Sequence, residues 1–295
     1  MVGPGALGLL VSGLALEAGL PVVLLARDEA RAQALREAGL LLQPGGRRFP
    51  LDARAEPPAR AAAVLLCVKV PDTEAACALA ARIPDAPVVV FQNGLGRGAA
   101  VAELLGTPER VVVALTREGA TRGVAPGEVL HAGRGPTVLA PFVPGSDAAA
   151  RAAAALGAAL QVELTGDLAQ AEWEKLTVNA AINALTALAR CPNGALLEVE
   201  ELRALAQDAA QEAARCAEAL GVPGRWDPAT TRARWEAVAR ATAENRSSSL
   251  QDVEAGRVTE VSAINGALVE RARALGLPTP VNAVLAQLVR GLERI

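Results

Sequence analysis

The chain has 295 residues, 52% of them apolar, with 29 Lys+Arg against 32 Asp+Glu and a formal net charge of −3. That length predicts about two domains, and a nearly balanced charge with no run of one sign argues against a nucleic-acid groove or a polybasic membrane patch. No apolar stretch reaches the ~20 residues of a spanning helix, and the start lacks the basic n-region of a secretory signal, so the expected setting is the cytoplasm and the expected partner a small molecule.

In chain order the first signal is immediate. Gly3, Pro4, Gly5, Ala6, Leu7 and Gly8 spell G-x-G-x-x-G, the turn that sets a pyrophosphate on a helix N-terminus in a Rossmann fold, and a helix is predicted behind it over 7–19. Such a turn should close a β-strand, yet only Met1 and Val2 precede it. The expectation is that the motif is genuine, that the chain as written begins a few residues late, and that the first strand is vestigial or nucleotide affinity impaired. Residues 21–27 read as a strand and 29–39 as a second helix; 62–69, 86–93 and 110–116 read as further buried strands. "GLLLQPGGRRFPLDA" and "GEVLHAGRGPTVLAP" each read as a hairpin, because Gly and Pro separate their short strands.

From about residue 167 the strand-like runs stop. "DLAQAEWEKLTVNAAINALTALAR" is one long predicted helix, "CPNG" its stop, and helices follow around 196–220, 228–244, 260–275 and 282–295. The expected fold class is an α/β Rossmann-type N-terminal domain over 1–165 followed by an all-α substrate and catalytic domain over 166–295.

Only two of the 29 basic residues are lysines, Lys69 and Lys175. Arginine cannot give up its proton at working pH and lysine can, so a retained lysine marks a position where arginine cannot serve. Cys67, Cys77, Cys191 and Cys216 have no C-x-x-C pairing and read as free thiols, and His131 is the only histidine, so no metal site is expected and no histidine-based triad.

Three further features carry chemistry. Arg27 ends the strand after the first helix, where an acidic residue would meet a ribose 2′-hydroxyl; arginine there suits the 2′-phosphate of NADP, with Asp28 next to it keeping NAD open. Lys175, Asn179 and Asn183 are spaced i, i+4, i+8 and lie within about 80° of one another on the long helix. Asparagine is a poor helix former, so this polar stripe on an apolar helix suits a polar cavity or a buried hydrogen-bond network. Ser247, Ser248 and Ser249 with Glu260 add hydroxyls and a carboxylate, which taken alone read as a cap or loop and a surface acid.

These segments together resemble the ketopantoate reductase (2-dehydropantoate 2-reductase) family. The resemblance runs from Gly3 to the last helix, and its most specific parts are "EKLTVNAAINALTAL", "CPNG", "ENRSSSLQD" with "TEVSAING", "LLCVK" and "FQNGLG". It implies helices of the 6-phosphogluconate-dehydrogenase-like type in the second domain, an active site in the cleft between the domains, NADPH/NADP+ as cofactor, ketopantoate as substrate and a homodimer as a candidate assembly. By position it implies that Gly3, Pro4, Gly5, Ala6, Leu7, Gly8 and Arg27 bind NADPH, with Lys69, Asn93 and Ala120 on its nicotinamide side. It further implies Lys175 as general acid, Glu260 as a second catalytic residue, and Asn179, Asn183, Asn193, Asn245, Ser247 and Ser248 as substrate ligands.

The chain departs from the family at Glu118, where related sequences often carry histidine, and at its short start. Two other functions stay open: a related NAD(P)H-dependent reductase of another small 2-oxo acid, and a non-catalytic NADPH sensor, which would have no need of the lysine.

Overall fold

Val64, Leu65 and Leu66, and again Val88, Val89 and Val90, are buried on both faces, as strands in a parallel sheet covered by helices must be. They belong to the first of two units into which the computed structural model, describing residues 1–295, divides: Met1–Gln92 with Gly96–Leu168, and Asn93–Leu95 with Ala169–Ile295.

The first unit begins with α1 (Ala6–Glu17), β1 (Val23–Leu25), α2 (Glu29–Ala38), β2 (Leu40–Gln43), β3 (Arg47–Phe49), β4 (Asp52–Arg54) and β5 (Val64–Leu66). It continues with α3 (Thr73–Ala81), β6 (Val88–Val90), α4 (Arg97–Leu105), β7 (Val111–Thr116), β8 (Gly119–Arg122), β9 (Glu128–Gly133), β10 (Thr137–Pro141), α5 (Ala148–Leu156) and β11 (Val162–Leu164). β4 pairs parallel with β1, and β5, β6 and β7 pair parallel in sequence, while β10 runs antiparallel to β7 with β11 parallel beside it. Val2 joins these two sets through parallel bridges to Leu25 and Leu66. Its N–H donates to Leu65 O at 2.8 Å and its carbonyl accepts from Cys67 N–H at 2.9 Å. The expected first strand is therefore reduced to a single bridging residue, in the central place of the doubly wound order β4-β1-Val2-β5-β6-β7.

A second sheet, ordered β3-β2-β9-β8, packs on α1: Leu9, Leu10 and Leu14 share a core with Leu40, Leu42 and Val129. Of the hairpin expected over 39–53, β2 and β3 form it, whereas Asp52 and Ala53 belong to β4 and pair with β1. The second expected hairpin is corrected. β9 pairs with β8, whereas β10 leaves for the main sheet, so the glycines and proline between them mark a crossing between sheets rather than a tight turn. Sequence reading also passes over α3, α4 and α5, each only nine residues long.

The second unit contains α6 (Leu168–Ala189), α7 (Ala195–Glu198), α8 (Glu200–Ala219), α9 (Pro228–Ala241), α10 (Ser248–Glu254), a π-helical turn (Ser262–Gly266), α11 (Ala267–Ala274) and α12 (Pro280–Leu292). Helix α6 is enclosed because it is apolar nearly all round. One side packs Val178, Ile182 and Leu185 on Leu196, Trp235, Leu285 and Val289; another packs Trp173, Leu176 and Ala180 on Ala213, Cys216, Trp226, Ile264 and Leu268. No helix is long and apolar enough to cross a membrane.

Candidate functional site

The three glycines of the first turn do three different jobs. Gly3 has φ +101°, a conformation glycine reaches without strain, and a Cβ there would stand 2.7 Å from Val68 Cγ1. A Cβ on Gly8 would collide with the carbonyl oxygen of Gly3, so only glycine lets α1 press against the turn. Gly5, the N-cap of α1, would have a single protein atom near its Cβ, Cys67 O at 3.8 Å; the space above it is open to a ligand. Helix α1 has no side-chain cap and no acidic residue in its first turn, which leaves the amides of that turn and the positive end of the helix dipole for an anion. The residues present fit the pyrophosphate of a dinucleotide.

Arg27 lies just beyond β1 with its side chain 91% exposed. Asp28 is engaged twice: its carboxylate caps α2 by accepting from Arg31 N–H at 2.7 Å, and it accepts from Arg27 Nε at 3.3 Å. An exposed guanidinium beside a committed carboxylate suits a 2′-phosphate better than a ribose diol. At the ends of β5 and β6, Gln92 is a group that pattern reading does not single out. Its Nε2 donates to Val68 O (3.1 Å) and Thr73 Oγ1 (2.8 Å), and Thr73 Oγ1 donates to Val70 O (2.7 Å), so one amide ties both ends of the loop that carries Lys69. Beneath the glycine turn, burial pushes the Cys67 thiol up to about 12, which keeps it protonated and inert.

In the second unit Lys175 and Asn179 are half-buried on α6 and Asn183 is buried, as one stripe. Asn93, whose short segment belongs to this unit, donates from Nδ2 to Glu260 Oε2 at 2.7 Å. Gly94 follows with φ +100°, and a Cβ there would stand 2.5 Å from Ala263 O in the π-helical turn, so this approach also requires glycine. The "CPNG" turn docks on the segment after α9: Asn193 N–H donates to Asn245 O (2.9 Å), Gly194 N–H to Ala243 O (3.0 Å), and Asn193 Nδ2 to Thr242 Oγ1 (2.9 Å). Asn193 Oδ1 is buried without a protein partner. Ser247 caps α10 by accepting from Leu250 N–H (3.1 Å), and its hydroxyl is also hydrogen-bonded to Thr186 Oγ1 (2.7 Å); Ser248 beside it is exposed.

A glycine-turn nucleotide unit with an arginine beyond its second strand, and a helical unit with a lysine on its central helix, define a two-domain nicotinamide-dependent oxidoreductase. Residues 1–144 match the family model described as Ketopantoate reductase PanE/ApbA, and 167–293 match Ketopantoate reductase PanE/ApbA C terminal. The chain belongs to the ketopantoate reductase family. A 2-dehydropantoate 2-reductase of Halobacterium salinarum is 40% identical over 300 residues, covering 99% of this chain and 97% of that protein. One of Archaeoglobus fulgidus is 33% identical over 298 residues, with the same coverage of 99% and 97%. The crystal structure of a PanE/ApbA family ketopantoate reductase from Ralstonia eutropha aligns with TM-score 0.82 at 32% identity, over 100% of this chain and 99% of that one. D-mandelate dehydrogenase, solved with NADH and anilino(oxo)acetate, aligns with TM-score 0.88 over the same shares but at 22% identity, a likeness of fold.

Proposed function

We propose that this chain reduces 2-dehydropantoate (ketopantoate) to (R)-pantoate with NADPH, a step in pantothenate and coenzyme A biosynthesis. The observation that carries the reading is the Lys175, Asn179, Asn183 stripe on a buried helix, in a chain whose full-length relatives bear that activity in their names. NADPH, when bound, supplies hydride to the 2-oxo carbon.

The chain's own residues do the rest. The amides opening α1 and the glycine turn hold the pyrophosphate, Arg27 pairs with the 2′-phosphate, and Lys69, Asn93 and Ala120 border the nicotinamide side. Negative charge develops on the carbonyl oxygen, and Lys175 delivers the proton that quenches it. Asn179, Asn183, Asn193, Asn245 and Ser248 orient the oxo acid by hydrogen bonds, Ser247 fixes the start of α10 through its cap, and Glu260, held by Asn93, orders the polar surroundings of the ammonium. A cytoplasmic location fits the four free thiols, and light scattering of the purified protein tests the homodimer.

The test is NADPH oxidation with ketopantoate and with a panel of other small 2-oxo acids, repeated with NADH. Preferred turnover of ketopantoate with NADPH supports the reading. Preference for another oxo acid replaces the substrate, and tight NADPH binding without turnover of any of them favours a sensor.

A further inference from the structure

The one histidine of the chain and an acid that the reaction leaves unused are bonded to each other. His131 Nε2 lies 2.5 Å from Glu118 Oε2, and the two side chains are only 4% and 7% exposed. Enclosing a carboxylate and an imidazole costs desolvation that neither charge nor hydrogen bond fully returns, so the pair is better explained by the position it secures than by stability.

That position is the ligand-binding edge of the main sheet. β5, β6 and β7 are parallel, so the end of β7 at Thr116 shares its edge with the loop after β5 and with the Gly3 turn after Val2, where ligands of doubly wound sheets bind. Glu118 lies two residues beyond Thr116. Its N–H donates to Thr116 Oγ1 at 3.0 Å, and that hydroxyl pairs with Thr137 Oγ1 of β10 at 2.8 Å. The chain then leaves the main sheet and enters the second one as β8, where Ala120 is the register partner of His131 beside a bulge at Gly119 and Ala120. Gly119 is packed so closely on β9 that a Cβ would stand 2.8 Å from Gly133 N. The backbone of Glu118 is thus fastened to one sheet and its side chain to the other, with Ala120 immediately after the crossing.

We infer that Glu118 and His131 form a positioning clamp for the nicotinamide half of the cofactor, holding the start of β8 and with it Ala120 at the sheet edge. The inference rests on the proposed function for the role of Ala120. Both are positioning residues, since the clamp works through the backbone of β8.

The test is the NADPH dissociation constant, read by titrating nicotinamide fluorescence, with kcat, both KM values and a thermal melt. It is applied to the wild type, Glu118→Ala, Glu118→Gln and the exchanged pair Glu118→His with His131→Glu. Glu118→Ala is expected to weaken NADPH binding about tenfold, the scale of one buried charge-assisted bond, and to leave KM for ketopantoate unchanged. Glu118→Gln, which keeps an oxygen acceptor, and the exchanged pair, which keeps the bond in reverse, should recover most of that loss. If these variants melt lower but bind NADPH as tightly as the wild type, the pair is merely structural and the clamp is overturned. Should Glu118→Ala not fold, the other two decide by the same constant: the Gln variant is expected near wild type, the exchanged pair nearer to it than a tenfold loss, and failure of both to bind overturns the clamp. A wild type that binds no NADPH overturns the proposed function and the clamp with it, whereas normal binding without ketopantoate turnover fails the substrate reading and leaves the clamp standing on its binding data.

Discussion

Asn93 Nδ2 donates to Glu260 Oε2 at 2.7 Å, which joins two residues that sequence reasoning assigns separate roles, one to the cofactor and one to catalysis. An amide at this distance holds the carboxylate in place without competing for its charge. Asn93→Asp would put a second carboxylate at hydrogen-bond distance, where the two can coexist only by sharing a proton. The variant is expected to lose at least about tenfold in kcat at neutral pH. Because protonation restores a donor between the two, its activity relative to wild type should rise as pH falls. A pH–rate profile parallel to wild type would contradict this.

Glu212 of α8, only 3% exposed, caps a helix from outside it. Its carboxylate accepts from Val281 N–H (2.9 Å), Asn282 N–H (3.0 Å) and Asn282 Nδ2 (2.7 Å) at the start of α12, while Asn282 Oδ1 accepts from Asn265 Nδ2 (2.8 Å). Glu212→Ala strands buried donors that water reaches poorly and should cost about 3 kcal/mol of stability. At roughly 2–4 °C per kcal/mol for domains of this size, a thermal melt resolves that loss easily. A melting temperature within a degree of wild type would sink the capping role.

On the proposed reading, cofactor choice turns on Arg27 and Asp28. Removing a charge-assisted bond to the 2′-phosphate costs about 1.5–3 kcal/mol, tenfold or more in affinity. Arg27→Ala should therefore raise KM for NADPH by that factor and leave KM for NADH nearly unchanged. Equal losses for both cofactors would place Arg27 elsewhere.

Burial pushes the Cys216 thiol from 9.0 up to about 11 and the Cys67 thiol up to about 12. Each holds its proton more tightly folded than unfolded, so this contribution is intact below about pH 9 and is lost as pH climbs towards the folded values. For Cys216, two units at 1.36 kcal/mol each give a loss of up to about 3 kcal/mol. Urea denaturation from pH 8 to 11 should show stability falling, with a shallower decline in Cys216→Ala. The same slope in both proteins would contradict the assignment.

Much of this was legible because it is local. The glycine turn needs particular residues at particular φ and close contacts, and Gly3, Gly5 and Gly8 answer those needs one by one. Helix α6 was readable for its length, since 22 residues without Gly or Pro end at a Pro and Gly stop. What pattern reading missed depends on long-range pairing. Residues 128–133 carry the same strand signal whichever neighbour they join, and they join β8 rather than β10. Gln92 offers no periodic cue, and its role exists only because Val68 and Thr73 lie across the strand ends. Ser247 had the chemistry of both a ligand and a cap, and its hydroxyl is used as the cap of a helix too short to announce itself. Asn265 and Asn282 look like other asparagines of the chain and are core partners of each other.

The central claim is that Lys175 delivers the proton, and the most direct measurement is paired: steady-state turnover of ketopantoate and NADPH binding, on wild type, Lys175→Ala and Lys175→Arg. Expected is a loss of kcat of about a thousandfold or more in both variants, the scale of positioned acid catalysis together with charge stabilisation, with NADPH binding close to wild type in each. Arginine should fail because it keeps the charge but cannot release the proton. Turnover by Lys175→Arg near the wild-type rate would contradict the claim.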